Sequence, residues 1–226
     1  MAPTATRFFE TLRADAFSDP GNVANDIDGH GWVDGHFESE FTTFLSHCAS
    51  RPVTIIEVGT WKGASACRMA SISKSLGIPA RILCVDTWLG APEFWTWGID
   101  DPTRGLSLRK KNGYPTVYET FRTNILAQKH EDVIAPLPLS SIQAAEVLTH
   151  YDWNADLVYV DAAHEEAAVR ADLHAYWPLV KPGGTMFGDD YTEFWDGVRR
   201  AVTTFASSKN LEVRVAGSVW SLQKPT

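Results

Sequence analysis

The chain has 226 residues, of which 44% are hydrophobic and 21% charged, and its formal net charge is −8. That is the composition of one sizeable globular domain with its own core, and it argues against a disordered chain. The acidic balance, with no basic cluster beyond Arg109-Lys110-Lys111, argues against nucleic-acid binding, and no apolar run approaches the roughly 20 residues of a membrane span.

Residues 1–50 read as a helical extension that includes a Gly/Asp/His-rich stretch from Asn25 to His36. Arg7-Phe8-Phe9 is followed at once by Glu10 and Arg13, which is no signal pattern, so the expected address is cytoplasmic. Cys48, Cys67 and Cys84 have no paired spacing and give neither a disulfide framework nor a zinc site.

The first strand expected is Val53 to Val58. It leads into Gly59-Thr60-Trp61-Lys62-Gly63-Ala64-Ser65, an apolar run that ends beside an acid and turns through two glycines into a helix. Gly59 and Gly63 let a backbone approach a ligand closely, and Glu57 at the strand end can engage a cationic amino group. The plainer reading is a strand-to-helix turn. The Gly-x-x-x-Gly spacing is not the dinucleotide pattern Gly-x-Gly-x-x-Gly. Ala66, Met69, Ile72 and Leu76 form the core stripe of the helix that follows, and Pro79 closes it.

The next strand, Ala80 to Asp86, ends on a carboxylate able to accept hydrogen bonds from both hydroxyls of a ribose, or else to cap the next segment. Residues 88–114, carrying Trp88, Trp95 and Trp97, are too long for an ordinary loop and read as a lid or a subunit contact. Asp132 to Leu137 and Asp156 to Asp161 are further strands. His164 lies three residues past Asp161, as a proton acceptor or as a supporting histidine. Val169, Leu173, Trp177 and Val180 mark a helix between His164 and Val180, ended by a Pro182-Gly183-Gly184 turn.

Gly184 to Gly188 is the following strand, delivering Asp189 and Asp190. These two either cap a helix from Tyr191 or bind a ligand. Phe194, Val198, Ala201 and Phe205 stripe the last helix. Leu211 to Ala216 and Val219 to Leu222 are separated only by Gly217-Ser218, which is too short for a crossover, so they pair as an antiparallel hairpin. Alternating strands and helices predict an α/β fold, a Rossmann-like, doubly wound, mostly parallel sheet of seven strands whose last strand is antiparallel. Ligands are then bound at the carboxyl ends of the strands. Asp161, Asp189 and Asp190 converge at that edge, and clustered carboxylates call for a hard divalent cation such as Mg²⁺.

Glu57-Val58-Gly59-Thr60-Trp61-Lys62-Gly63, Asp86, Asp161-Ala162-Ala163-His164, Pro182-Gly183-Gly184 and Gly188-Asp189-Asp190, in that order, resemble class I S-adenosylmethionine-dependent methyltransferases. The likeness is to the metal-dependent O-methyltransferases of the macrocin O-methyltransferase and cephalosporin-hydroxylase-like group, over about residues 50–223. It implies that Glu57, Gly59 and Gly63, with Thr60 and Ser65 in the same turn, frame the methionine part of S-adenosylmethionine. It also implies that Asp86 holds the ribose and that Ser140 or Ser141 lies near the adenine. Asp161, Asp189 and Asp190 match magnesium ligands, and His164 falls where relatives place a catalytic lysine or histidine.

The expectation is one methyltransferase domain over residues 1–226, with a core from residue 51 onward, that methylates a hydroxyl of a small molecule. The acceptor is a sugar or polyhydroxylated natural product, or a phenolic diol. His164 or Asp161 takes the proton, and the N-terminal stretch is a candidate element for a homo-oligomer. The competing readings are a nicotinamide-dependent oxidoreductase and a non-catalytic cofactor-binding or assembly subunit.

Overall fold

A computed structural model of the chain describes residues 4–19, 35–49, 51–96 and 108–226. Trp97 and most of the Asn25–His36 stretch lie outside the described residues. The strands are β1 (Val53–Val58), β2 (Ala80–Val85), the short pair β3 (Lys110–Lys111) and β4 (Tyr114–Pro115), β5 (Ile134–Leu137), β6 (Ala155–Val160), β7 (Val180–Gly188), β8 (Arg214–Ala216) and β9 (Val219–Gln223). The helices are α1 (Ala5–Phe17), α2 (Phe37–His47), α3 (Ala64–Ser75), α4 (Pro92–Thr96), α5 (Val117–Ala127), α6 (Ser141–His150), α7 (Glu166–Tyr176) and α8 (Asp196–Ser208).

Seven strands form one sheet in the order β5-β2-β1-β6-β7-β9-β8. The first five run parallel, and β9 runs antiparallel to both of its neighbours. The expected Rossmann-like sheet with a reversed last strand is therefore present, with that strand one place in from the edge. The order reverses direction at β1, which places β2 on one side and β6 on the other. A crevice opens at such a switch point, beyond the carboxyl ends of the strands.

Strand periodicity divides the core into two layers. Ile56, Val58, Leu83 and Val158 face one side, with Phe9 of α1 and buried residues of α6, α7 and α8. Val53, Ile55, Ile82 and Tyr159 face the other, under Phe37, Phe41 and Leu45 of α2 and the buried stripes of α3 and α5. Successive residues of a strand point to opposite faces, so both faces can be dry only if apolar residues are continuous, as they are over residues 157–160 of β6. The N-terminal helices are thus part of both core layers: α1 covers the β5 edge and α2 seals the second face.

Several boundaries differ from the sequence expectation. Pro182-Gly183-Gly184 lies within β7, which starts at Val180, because the strand shifts register there against β6 and the Gly183 amide donates to the Lys224 carbonyl at 3.1 Å. A Cβ on Gly184 would sit 2.7 Å from the Asp156 carbonyl oxygen, so only glycine lets β7 continue past that point. Leu76 and Phe194, expected in core stripes, are 46% and 75% exposed. Leu76 is the C-cap of α3, and Phe194 precedes α8, so neither has a helical neighbour face to pack on. The insertion contributes the α4 turn and the β3–β4 pair, which periodicity did not reveal. Among the described residues no helix is long and apolar enough to cross a membrane.

Candidate active site

The β1–α3 turn is shaped by its glycines. Gly59 has φ +88°, and a Cβ there would lie 2.0 Å from the Asp161 carbonyl oxygen. The Asp161 amide donates to the Val58 carbonyl at 2.8 Å, so the first turn and the end of β6 are in van der Waals contact. Gly63 has φ +84° as the N-cap of α3, where a Cβ would press on the Phe121 ring at 2.9 Å. A larger residue at Gly59 would push the turn away from the end of β6, and one at Gly63 would press on α5.

A cavity of about 620 Å³ opens above this turn, within the usual range for small-molecule sites. One wall carries Gly59, Thr60 and Ser65, then Asp86 at the end of β2, then Ser140 and Ser141 at the start of α6. The other carries Asp161, His164, Asp189 and Asp190. Of the residues picked from the sequence for cofactor, cation or proton transfer, Glu57 and Gly63 do not line it, and neither do Trp88 and Trp95 of the insertion. Glu57 is fully buried on the α3 side of the sheet. Its carboxylate accepts from Ser65 Oγ and, at 2.9 Å, from Thr60 Oγ1, with Cys84 Sγ at 3.4 Å. Burial pushes its pKa up to about 7, against the hydrogen bonds of Ser65 and Thr60. In this arrangement Glu57 orders two residues that face the cavity rather than facing it itself.

Asp86 does two things at once. It lines the cavity, and its oxygens accept the amides of Trp61 at 2.8 Å and Trp88 at 2.7 Å. It therefore ties the first turn to the start of the insertion. Burial raises its pKa, opposed by those backbone donors. The insertion folds back here: Trp88 Nε1 donates to the Trp61 carbonyl at 2.7 Å, and Phe94 of α4 stacks on Trp61 with centroids 4.5 Å apart. Trp88 is buried, whereas Trp95 is largely exposed beneath Lys110. Ser140 caps α6 by accepting from the Gln143 amide.

The acidic wall is built by three elements. Asp161 follows β6, and Tyr159, two residues earlier on the same strand face, donates to Asp161 Oδ2 at 3.0 Å. Asp189 and Asp190 follow β7. No helix starts at Tyr191, since α8 begins at Asp196, so the pair is not a helix cap. Asp189 Oδ1 instead accepts the Asp190 amide at 2.7 Å and the Ser218 hydroxyl. His164 Nε2 lies 3.0 Å from Asp190 Oδ2, and its ring stacks on Trp195 at 3.8 Å.

One ligand atom from each of Asp161, His164 and Asp190 falls within 4.8 Å of the others. Burial first, then the charges of Asp190 and Asp189, hold the Asp161 carboxyl well above the usual carboxylate range. A cation among these oxygens relieves that repulsion, and carboxylates with an imidazole are suitable donors, so the cluster fits a divalent ion. Trp61 lies inside the Glu57-to-Gly63 motif, though with no role assigned to it, and Tyr159, Phe94 and Trp195 were missed by motif reading. Only Tyr159 had a signal, its i, i+2 relation to Asp161 along a strand.

The methyltransferase domain family matches residues 56–191 of the chain. Solved structures share its fold at low identity. The O-methyltransferase NovP is 16% identical over 98% of this chain and 99% of that one, with a TM-score of 0.60. An O-methyltransferase from Bacillus cereus, solved in complex with SAH, is 14% identical over 99% and 93%, with a TM-score of 0.58. CalS11, a TDP-rhamnose 3′-O-methyltransferase of calicheamicin biosynthesis, is 15% identical over 96% and 93%, with a TM-score of 0.58. No curated protein sequence matches the chain.

Proposed function

The chain belongs to the methyltransferase domain family, and on that premise we propose that it moves a methyl group from S-adenosylmethionine to a hydroxyl oxygen of a small molecule, with a divalent cation at its acidic wall. One observation carries the reading: the Gly59–Ser65 turn, Asp86 and Ser140–Ser141 share a single cavity with Asp161, His164, Asp189 and Asp190. The family match favours methyl transfer over the hydride-transfer alternative.

On this reading the donor wall holds the cofactor. Asp86 accepts from the ribose hydroxyls, the Gly59–Ser65 turn borders the methionine part, and Ser140 and Ser141 border the adenine. S-adenosylmethionine supplies an activated methyl group on a sulfonium. Asp161 and Asp190, with His164 and Asp189 beside them, would hold the cation, which when bound lowers the pKa of a nearby hydroxyl. His164 or Asp161 receives the hydroxyl proton. Asp190, 3.0 Å from His164 Nε2, then stabilises the imidazolium that forms. The rest is alignment of oxygen with methyl carbon, and fixed geometry lowers that barrier.

The acceptor is polyhydroxylated, a sugar or sugar-bearing natural product, or a phenolic diol. Phe194, 75% exposed at the cavity, and the stacked rings of Trp61 and Phe94 offer flat surfaces for either. CalS11, whose acceptor is a sugar, lends weight to the first. Calorimetric titration with S-adenosylmethionine tests the core of the reading, with binding expected in the micromolar range. EDTA, or Asp161→Ala, is expected to leave that binding intact and to abolish transfer to the acceptor. No heat of binding would refute the function, and transfer unaffected by chelation would remove the cation from it.

A further inference from the structure

Asp190 has φ +64°, in the left-handed region that disfavours non-glycine residues. The chain therefore needs something to hold the Asp189–Asp190 turn, and that support comes from the terminal hairpin. Ser218, in the two-residue loop between β8 and β9, donates its hydroxyl to Asp189 Oδ1. Its carbonyl accepts the Tyr191 amide at 2.9 Å. Trp220 Nε1, two residues on, donates to the Asp189 carbonyl at 3.1 Å. Gly188 lets this indole pack against the end of β7, since a Cβ there would lie 2.5 Å from Trp220.

We propose that Ser218 is a positioning residue for the cation site: its hydroxyl fixes one oxygen of Asp189, which holds the Asp190 amide and so keeps Asp190 in ligand pose beside Asp161 and His164. This rests on the reading of Asp190 as a cation ligand. A carboxylate whose Oδ1 takes two donors, the Ser218 hydroxyl and the Asp190 amide, cannot rotate about its χ2 without breaking both. Losing the hydroxyl removes one restraint and frees the turn to relax from its strained backbone. Residues that orient metal ligands in this way typically set affinity by about 10- to 100-fold. The reversed hairpin then has a site role in addition to closing the sheet.

The test uses Ser218→Ala and Ser218→Thr in the full chain, with Mn²⁺ alone as the probe. Calorimetry is expected to show Mn²⁺ affinity reduced about tenfold or more in Ser218→Ala and close to wild type in Ser218→Thr, which keeps the hydroxyl. Affinity for S-adenosylhomocysteine is expected to be unchanged in both. In metal-free protein, amide hydrogen exchange at Asp190 is expected to quicken in Ser218→Ala and not in Ser218→Thr. Wild-type Mn²⁺ affinity in Ser218→Ala would overturn the proposal. Wild-type protein that fails to bind Mn²⁺ would instead overturn the cation reading, and the exchange data would then decide on the clamp. Unaltered exchange at Asp190 overturns it, and faster exchange supports it.

Discussion

Glu57 offers a test of how the first turn is built, through the substitution Glu57→Gln. Its carboxyl is fully buried, and burial lifts its pKa from 4.5 to about 7. The folded state therefore holds a proton that the unfolded chain has already released. The stability this contributes is fully present below pH 4.5 and is lost as pH rises through about 7. At about 1.4 kcal/mol per pH unit, the gap amounts to about 3 kcal/mol of stability lost across that window. Glutamine has the shape of the protonated acid, and Ser65 and Thr60 hydroxyls can accept as well as donate. Glu57→Gln is thus expected to remove this contribution to pH dependence and leave the rest. Urea unfolding of both proteins at about pH 5 and about pH 8 should show the variant gaining about 2.5 kcal/mol relative to wild type at the higher pH, the remainder of the gap having been lost below about pH 5. Other buried acids such as Asp172, whose pKa burial raises to about 6, act alike in both proteins and cancel in the comparison. Parallel pH profiles for the two proteins would refute the claim that Glu57 is held by burial against the Ser65 and Thr60 hydroxyls.

Gly59→Ala places a methyl group 2.0 Å from the Asp161 carbonyl at positive φ; a loss of about 2 kcal/mol or more is expected, seen as a thermal midpoint lowered by about 5 °C or more. Phe37→Ala opens a cavity among Phe41, Tyr159 and Phe187. It is expected to cost about 3–5 kcal/mol by urea unfolding, and a shift under about 1 kcal/mol would show that α2 is not part of the core. Asp86→Ala removes the acceptor for the Trp61 and Trp88 amides as well as a cavity carboxylate. Affinity for S-adenosylmethionine, read by calorimetry, should fall about tenfold or more.

Much of the fold could be read from residue order because a parallel sheet covered on both faces leaves a plain mark. Continuous apolar runs over residues 82–85 of β2 and 157–160 of β6 are what burial on two sides requires, and the carboxylates that follow them, Asp86 and Asp161, sit where strands deliver ligands. Register and side-chain direction were less legible. Glu57 and Val58 are adjacent in sequence, yet strand alternation sends Glu57 to the α3 face, where Ser65 and Thr60 take its oxygens. The β3–β4 pair was invisible because two-residue strands carry no period.

Local pattern by itself determined the alternation of strands and helices, the two-glycine turn, the terminal hairpin and the three aspartates at strand ends, since each depends on near neighbours in the chain. Tertiary structure alone decided which groups meet. It brought Trp195 onto His164, set Ser218 against Asp189 across 29 positions, and stacked Phe94 on Trp61. Those encounters depend on how sheet twist and helix packing bring distant segments together, and no short-range pattern encodes that.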